Sequence, residues 1–164
     1  MSTGLSPLHP ANLGWVGATV YSGKGSYRWF LGGRTLDPEG LARLVWDRVA
    51  VQKLVMVDGE DEAVALLQVY NADLRNGFAY LSFLSTWDLR PIDDAVAEFV
   101  KQAFLEFRLR KIYLEVLTSR TGPPLPGSGL PWRQEGRLVK HEADGGEYAD
   151  LVIYALSSMA EPIE

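Results

Sequence analysis

Residues Ser85–Leu117 read STWDLRPIDDAVAEFVKQAFLEFRLRKIYLEVL, and this stretch decides the fold. It follows Phe78–Leu84, a short apolar run with the composition of a β-strand. Over Ile92–Phe107 apolar residues recur at i, i+3, i+4 and i+7 while charged residues keep to the other side, which predicts an amphipathic helix. KIYLEVL (Lys111–Leu117) is again strand-like. A strand, a long helix and a second strand predict a βαβ unit with parallel strands and a right-handed crossover.

The segments on either side of this unit predict antiparallel strands. The runs with strand composition are Gln52–Val57, Ala63–Tyr70 and Phe78–Leu84, followed near the C-terminus by Gly136–Glu142 and Tyr148–Leu156. The connections DGEDE and NADLRNG are short and rich in turn residues, which predicts an antiparallel meander for the first three. ADGG separates the last two, which predicts a C-terminal hairpin.

The N-terminal third is less regular. Residues 1–15 contain Ser, Pro and Gly and predict a flexible arm. Val16–Tyr21 and Tyr27–Leu31 are rich in β-formers and flank SGKGS, so a hairpin is expected. The GKGS lacks the earlier glycine and the following helix that a P-loop requires, which favours a turn. Leu36–Ala50 predicts the first helix, with Asp37 as its N-cap.

Composition excludes several classes of protein. The 164 residues are enough for a single domain spanning 1–164, and a net charge of −5 gives no reason to expect nucleic acid or an anionic membrane as partner. The absence of cysteine removes disulfides and thiolate chemistry, and with only two histidines no metal is expected. Without an apolar run of roughly 20 residues or a signal-like N-terminus, a cytoplasmic location is expected.

Two segments of the C-terminal half resemble a known family. FVKQAFLEFRLRKIYLEVL (Phe99–Leu117) and WRQEGRLVKHEADGGEYADLVIYAL (Trp132–Leu156) resemble the GNAT superfamily of acyl-CoA-dependent N-acyltransferases, and most closely the branch with the ribosomal-protein N-terminal acetyltransferases. The resemblance covers about Val51–Leu156. It implies an α+β fold with a mixed central sheet, in which an antiparallel meander, one parallel βαβ crossover and a C-terminal hairpin succeed one another. One first helix replaces the usual two.

The resemblance implies a site for acetyl-CoA or another acyl-CoA at the strand-to-helix junction. Family members grip the diphosphate there with main-chain N–H groups in a Q/R-x-x-G-x-G/A segment, and the pantetheine arm enters between the two parallel strands. Two alignments are possible here, one placing Ser85, Asp88 and Arg90 at the motif positions and one placing Arg90, Asp93 and Ala95 there. Both lack glycine, so the motif is degenerate. The predicted cofactor-binding residues are Ser85, Thr86, Trp87, Asp88, Leu89 and Arg90.

The candidate catalytic residues are Glu115 and Tyr113. Glu115 alternates with apolar neighbours on its strand and could deprotonate an amine, although a solvated strand residue or an ion-pair partner is the alternative. The resemblance implies a tyrosine that protonates the departing thiolate, for which Tyr113 and Tyr148 are the nearest candidates, unless both pack in the sheet. The family's asparagine falls near Ser119 or Arg120, and its helix is replaced by Gly122–Pro131. Ser82 and Ser85 have no histidine to activate them as nucleophiles.

Two functions of different classes follow. The first is an acyl-CoA-dependent N-acyltransferase acting on a primary amine of a small molecule or peptide, and the acidic chain favours a cationic acceptor. The alternative is a GNAT-like binding or assembly module without acetyltransferase activity, working with a protein partner or as a homodimer. A third possibility keeps the cleft but uses a carrier-bound acyl group or a cyclisation.

Overall fold

A computed structural model describes residues 3–22, 36–59, 62–86, 92–118, 125–127, 129–144 and 146–158. In chain order the elements are β1 (Thr3–Pro7), a 3-10 turn (Pro10–Asn12), α1 (Leu13–Tyr21), α2 (Pro38–Trp46), β2 (Val49–Val57), β3 (Ala63–Asp73), β4 (Phe78–Ser85), α3 (Asp93–Phe107), β5 (Lys111–Leu117), β6 (Arg133–Asp144) and β7 (Glu147–Ser157).

The described strands form a seven-stranded sheet in the order β1-β2-β3-β4-β5-β7-β6. All neighbouring strands are antiparallel except β4 and β5, which run parallel on either side of the α3 crossover. The mixed α+β sheet, the meander, the crossover and the C-terminal hairpin predicted from the sequence are therefore confirmed. The hairpin closes with β7 inside, between β5 and β6.

Helices cover both faces of the sheet. The apolar stripe of α3, including Val96, Phe99 and Val100, is buried with residues of β3, β4 and β5 on one face. On the opposite face, which we call the α2 face, α1 and α2 pack on Leu54, Leu66 and Leu84. Burying one such side chain completely stabilises the fold by about 1.5–3 kcal/mol, so these two layers hold the sheet.

The structure corrects the N-terminal predictions. Residues 3–15 are not a flexible arm, because β1 pairs with β2 from Thr3 to Pro7 and α1 begins at Leu13. Val16–Tyr21 lies in α1 rather than in a hairpin strand, whereas Tyr27–Leu31 falls outside the described residues. Val16, Thr19 and Val20 are buried on one side of this helix, so packing on the sheet outweighs their strand propensity.

The helix predicted over Leu36–Ala50 is shorter than expected. Asp37 caps it as predicted, accepting a hydrogen bond from the Gly40 N–H at 2.6 Å. It ends at Trp46, after which Arg48 has a φ of 55° and reverses the chain into β2. With α1 there are two described helices before β2, so the expectation of one first helix was wrong.

The connection between β5 and β6 packs on the α3 side of the sheet. Leu125, Leu130 and Trp132 are partly buried against the α3 core, and the Trp132 Nε1–H donates to the Pro126 carbonyl at 2.9 Å. Gly127 is buried with a φ of 65°, and a Cβ there would lie 2.7 Å from Leu130 Cδ1. This part of the connection is a packed structural unit.

Replacing Gly127 by alanine is therefore expected to destabilise the protein. The positive φ and the contact with Leu130 both oppose a side chain, and together they cost about 1–3 kcal/mol. Urea denaturation followed by tryptophan fluorescence measures the change. Gly129→Ala is the matched control, because a Cβ at Gly129 meets no atom within 4 Å. Equal stability of both variants would contradict this account of the connection.

Candidate active site

The parallel strands β4 and β5 separate after a short paired segment. Their register covers only Phe78–Tyr80 opposite Lys111–Tyr113. Beyond it β4 stays paired with β3 as far as Ser85, and β5 stays paired with β7 as far as Leu117. The facing edges, 81–85 and 114–117, therefore enclose a wedge that we call the β4–β5 gap. Main-chain groups along its edges are outside the β4–β5 ladder and need other partners.

The strand register determines which side chains border this gap on the α2 face. Residues directly opposite each other in a ladder point to the same face of the sheet. Tyr70 is opposite Tyr80, and Tyr80 is opposite Tyr113, so the three tyrosines form one row across β3, β4 and β5. Two residues further along, Ser82 on β4 and Glu115 on β5 lie on the two sides of the gap.

The tyrosines and Phe78 form a contiguous aromatic patch, defined here as Tyr70, Phe78, Tyr80 and Tyr113. The Tyr80 ring centroid lies 5.8 Å from that of Tyr70 and 5.6 Å from that of Tyr113. Phe78 meets Tyr80 and Tyr113 edge to face at 6.2 and 6.0 Å. All four rings are half-buried, so part of each stays accessible beside the gap.

Glu115 is a half-buried carboxylate at the head of the gap. Burial raises its pKa, the charge of Glu142 raises it further, and His141 lowers it in part. The pKa of Tyr80 is also raised, first by burial and then by the charges of Glu115 and Tyr113. Glu115 is thus a stronger base than an exposed glutamate, next to a phenol that retains its proton. The predicted pair Glu115 and Tyr113 shares one face of β5.

Ser82 is a buried hydroxyl whose hydrogen-bonding capacity is unused. The residue is 4% exposed, and its Oγ has no hydrogen-bond partner among the described residues. The neighbouring Gln68 directs its amide nitrogen to the Val45 carbonyl at 2.9 Å, and on the other side lies the gap. Leaving such a group unsatisfied costs about 1–3 kcal/mol.

The described part of the strand-to-helix junction is anchored to β3. The Ser85 Oγ–H donates to the Val64 carbonyl at 3.1 Å, and the same carbonyl accepts from the Thr86 N–H at 3.0 Å and its Oγ1–H at 3.3 Å. The other predicted cofactor-binding residues, Trp87, Asp88, Leu89 and Arg90, lie outside the described residues. The hydroxyls of Ser85 and Thr86 therefore hold the end of β4 in place.

The two acidic residues at the start of α3 have different environments. An Asp93 Oδ1 atom accepts a hydrogen bond from the Gly127 N–H at 2.9 Å, which ties the helix start to the β5–β6 connection. Asp94 is exposed to solvent. The residue before the helix, Ile92, provides no side-chain cap. The Asp93 carboxylate is thus engaged by the backbone of the chain itself.

The remaining candidates are dispersed or outside the described ranges. Tyr148 is 69% exposed near the tip of the β6–β7 hairpin, so it neither packs in the sheet nor borders the gap. Ser119 and Arg120 lie outside the described residues. Sequence reasoning missed Tyr80 and considered Ser82 only as a nucleophile. The alternation of FAYLSFL, which puts Phe78, Tyr80 and Ser82 on one face, was the available signal.

Two kinds of feature are missing from the described ranges. No group of three or more His, Asp or Glu side chains there is arranged to hold a metal ion. In the same ranges, no helix has both the length and the apolar character needed to cross a bilayer.

Several solved structures of acetyltransferases share the fold of this chain. No family model and no curated protein matches this chain. A spermidine N-acetyltransferase from Vibrio cholerae in complex with CoA and spermine superposes with a TM-score of 0.78 at 15% identity, over 94% of this chain and 95% of that one.

Two further structures show the same likeness. A probable acetyltransferase matches with a TM-score of 0.70 at 15% identity, over 94% of this chain and 92% of that one. A spermidine/spermine N-acetyltransferase from Vibrio cholerae in complex with manganese ions gives 0.73 at 16% identity, over 94% and 92%. At such identities the likeness establishes a shared fold, that of the GNAT-type acetyltransferases.

The raised pKa of Glu115 has a consequence for stability. Its charged form is disfavoured in the folded state, so wild-type stability falls as pH rises from the ordinary value of 4.5 through the raised folded pKa. Glu115→Gln removes this penalty and is expected to increase the free energy of unfolding at pH 7. The difference should disappear at a pH below 4.5.

Urea denaturation of wild type and variant across this pH range measures the effect. Glu106→Gln, at an exposed position on α3, is the control and should show no comparable gain. A Glu115→Gln protein less stable than wild type at pH 7 would show that the carboxylate is instead satisfied by a partner.

Proposed function

We propose that this chain is an acyl-CoA-dependent N-acyltransferase that moves an acyl group, in the simplest case acetyl, to a primary amine. The observation that supports this most directly is the β4–β5 gap with Glu115 and Tyr113 at its head. The shared fold with a spermidine N-acetyltransferase that was solved in complex with CoA and spermine agrees with it. A small cationic amine or, following the resemblance to the ribosomal-protein branch, a basic peptide N-terminus is a suitable acceptor.

The residues present fit an acyl-CoA cosubstrate at its acyl-pantetheine end. The pantetheine arm contains amides, and the strand edges of the gap offer main-chain donors and acceptors outside the β4–β5 ladder. The unpartnered Ser82 hydroxyl on the same edge offers one further hydrogen bond. We assign the cosubstrate's acyl-pantetheine portion to this gap.

Two of the predicted diphosphate-binding residues, Ser85 and Thr86, are engaged by the chain itself. Of Ser85–Arg90, the Ser85 and Thr86 hydroxyls and the Thr86 N–H already bond to the Val64 carbonyl. We therefore assign the diphosphate to the main-chain N–H groups of 87–90 and to the positive end of the α3 dipole, with Arg90 as supporting cation.

The proposed reaction needs one base and one acid. An acceptor that arrives as an ammonium first loses one proton to solvent. The nitrogen lone pair of the neutral amine then attacks the thioester carbonyl carbon, and Glu115 takes the proton that the attacking nitrogen sheds, directly or through water. The C–N bond forms and the C–S bond breaks, and the Tyr113 hydroxyl gives its proton to the departing thiolate. The proton held by Glu115 returns to Tyr113 through solvent, so the net products are an amide and the free thiol.

The pKa of Glu115 suits this role. A general base works best when its pKa approaches the working pH, because it is then both deprotonated and strong enough to accept the proton. Burial and the Glu142 charge move the pKa of Glu115 upward, in that direction. Tyr113 lies two residues before Glu115 on the same face of β5, so acid and base approach the gap from one side.

Glu115→Gln is expected to lower kcat by about 100-fold or more, since general acid–base groups typically contribute factors of 10²–10⁴. Release of free thiol from acetyl-CoA, with a panel of amines as acceptors, measures the rate. The wild-type rate should fall as pH drops through the raised pKa of Glu115. Acetyl-CoA affinity by calorimetry is the control and should be retained. Unchanged kcat in the variant would remove Glu115 from the reaction.

Ser82→Ala and Ser85→Ala form a matched pair on one strand. Ser82→Ala deletes an unpartnered hydroxyl, so the free energy of unfolding should stay equal or increase. If acyl-CoA satisfies that hydroxyl, the affinity of the Ser82→Ala variant for acyl-CoA should be about 2- to 10-fold lower, the value of one hydrogen bond of roughly 0.5–1.5 kcal/mol.

Ser85→Ala deletes the hydrogen bond to the Val64 carbonyl and should lower the free energy of unfolding by about 1 kcal/mol. Denaturation and calorimetry with acetyl-CoA test both, and unchanged affinity in Ser82→Ala contradicts the assignment.

A second candidate function is a binding module of the same fold without transferase activity. The observation that favours it is the junction, where glycine is absent and Asp93 is bonded to the β5–β6 connection. The two functions separate in one pair of measurements. Calorimetric binding of acetyl-CoA with no amide product from any amine indicates the binding module, whereas thiol release that depends on the amine indicates the transferase.

A further inference from the structure

The aromatic patch lies on the same face of the sheet as the proposed base, Glu115. Tyr80 and Tyr113 stand at the head of the gap next to Glu115, and Tyr70 continues the row one strand further away. Adjacent strands are about 4.8 Å apart, so the row from Tyr113 to Tyr70 extends over roughly 10 Å. The patch therefore offers ring surface well beyond the reacting amine.

The Tyr113 ring is already in contact with a cation of the protein, the ammonium group of Lys111. The Lys111 ammonium lies 5.9 Å from the centroid of the Tyr113 ring, and it also bonds to Glu135 at 2.6 Å. An ammonium within about 6 Å of an aromatic face is attracted by the ring quadrupole, more strongly where water is excluded. The surroundings of this patch are thus compatible with positive charge.

The neighbouring charge has the complementary sign. Glu115 lies two residues from Tyr113 on the same face of β5 and acts electrostatically on the pKa of Tyr80, so one carboxylate lies beside the patch. Glu142 in turn acts on the pKa of Glu115. A net charge of −5 adds a long-range attraction for cations. Half-buried rings beside carboxylates are the usual chemistry of sites that recognise organic ammonium groups.

We infer that the aromatic patch binds an organic ammonium group of the acceptor, so that the substrate is an amine with a second cationic centre. This inference rests on the proposed transferase function, because only a transferase makes the bound amine an acceptor. The ammonium site itself does not depend on that function. The reacting amine lies at Glu115, and the second cation lies on the Tyr70 and Tyr80 rings. A flexible spacer of several methylenes covers the roughly 10 Å row, which a short monoamine does not.

Binding is tested first, without acyl-CoA. The wild-type protein is titrated with choline and with 3,3-dimethylbutan-1-ol, a neutral molecule of nearly the same shape, and NMR shifts of the tyrosine rings are followed. Choline should bind at least about 5-fold more tightly, since a cation–π contact is worth roughly 1 kcal/mol. Equal affinities for the two probes would overturn the inference without any variant.

Two substitutions at one position separate the ring from its hydroxyl. Tyr70→Leu removes the aromatic face and should abolish the preference for choline, whereas Tyr70→Phe retains the face and should retain the preference. Tyr70 is at the far end of the row from the reaction, so these changes leave Glu115 and Tyr113 in place. Loss of the preference in both variants, or in neither, contradicts a role for the ring face.

Kinetics then distinguish this inference from the proposed function. With acetyl-CoA, Tyr70→Leu should raise KM for a diamine by about 5-fold and leave KM for a monoamine of matched reactivity unchanged. Equal effects on both amines overturn the inference while the transferase function stands. A choline preference with no amide formed from any amine supports the ammonium site and overturns the transferase function.

Discussion

The short pairing between β4 and β5 is the constraint on which the rest of the site depends. Each strand is held on its outer side, β4 by β3 and β5 by β7, over most of its length. Since sheet strands twist, two strands that follow different outer partners diverge once their own ladder stops. The ladder stops at Tyr80 and Tyr113, so the backbone groups of 81–85 and 114–117 that face the gap lie outside it. Such groups need other partners, which can be side chains, water or a ligand.

The same opening explains why destabilising features accumulate beside it. Among the described residues, the Ser82 hydroxyl has no hydrogen-bond partner, and the half-buried Glu115 carboxylate has no ion pair. Both cost free energy in the unliganded protein. Layers of apolar side chains on the two faces, under α3 and under α1 and α2, offset this cost. Unfavourable polar groups at one site, offset by apolar packing elsewhere in the fold, are the pattern expected of a binding cleft.

The sequence predicted those elements in which apolar residues recur at a regular spacing over many residues. α3 and its flanking strands were predicted correctly because their apolar spacing agrees with how they pack. α1 was missed because LGWVGATVY is rich in β-formers and glycine, and only the buried row of Val16, Thr19 and Val20 against the sheet makes it a helix. The start of β2 was misplaced because the reversal depends on Arg48 at positive φ, a conformation that its residue type does not signal.

The site was predictable in part for the same reason. Alternation along β5 placed Glu115 and Tyr113 on one face, and this needed no knowledge of distant residues. The orphaned hydroxyl of Ser82 and the raised pKa of Glu115 depend on groups that are near in space but distant in sequence, such as Gln68 and Glu142. Patterns along a single strand do not contain that information.

The start of α3 lacks the glycines that are expected at the proposed diphosphate site. A carboxylate about 4 Å from a diphosphate would cost on the order of 4 kcal/mol at an effective dielectric of 20, which argues against Asp93 as a neighbour of the ligand. The Asp93 carboxylate accepts the Gly127 N–H instead, so it stabilises its own helix and the β5–β6 connection. The junction is then organised partly for structure. For the proposed acyl-CoA cosubstrate, we therefore expect the acyl-pantetheine end in the β4–β5 gap to contribute more affinity than the nucleotide end.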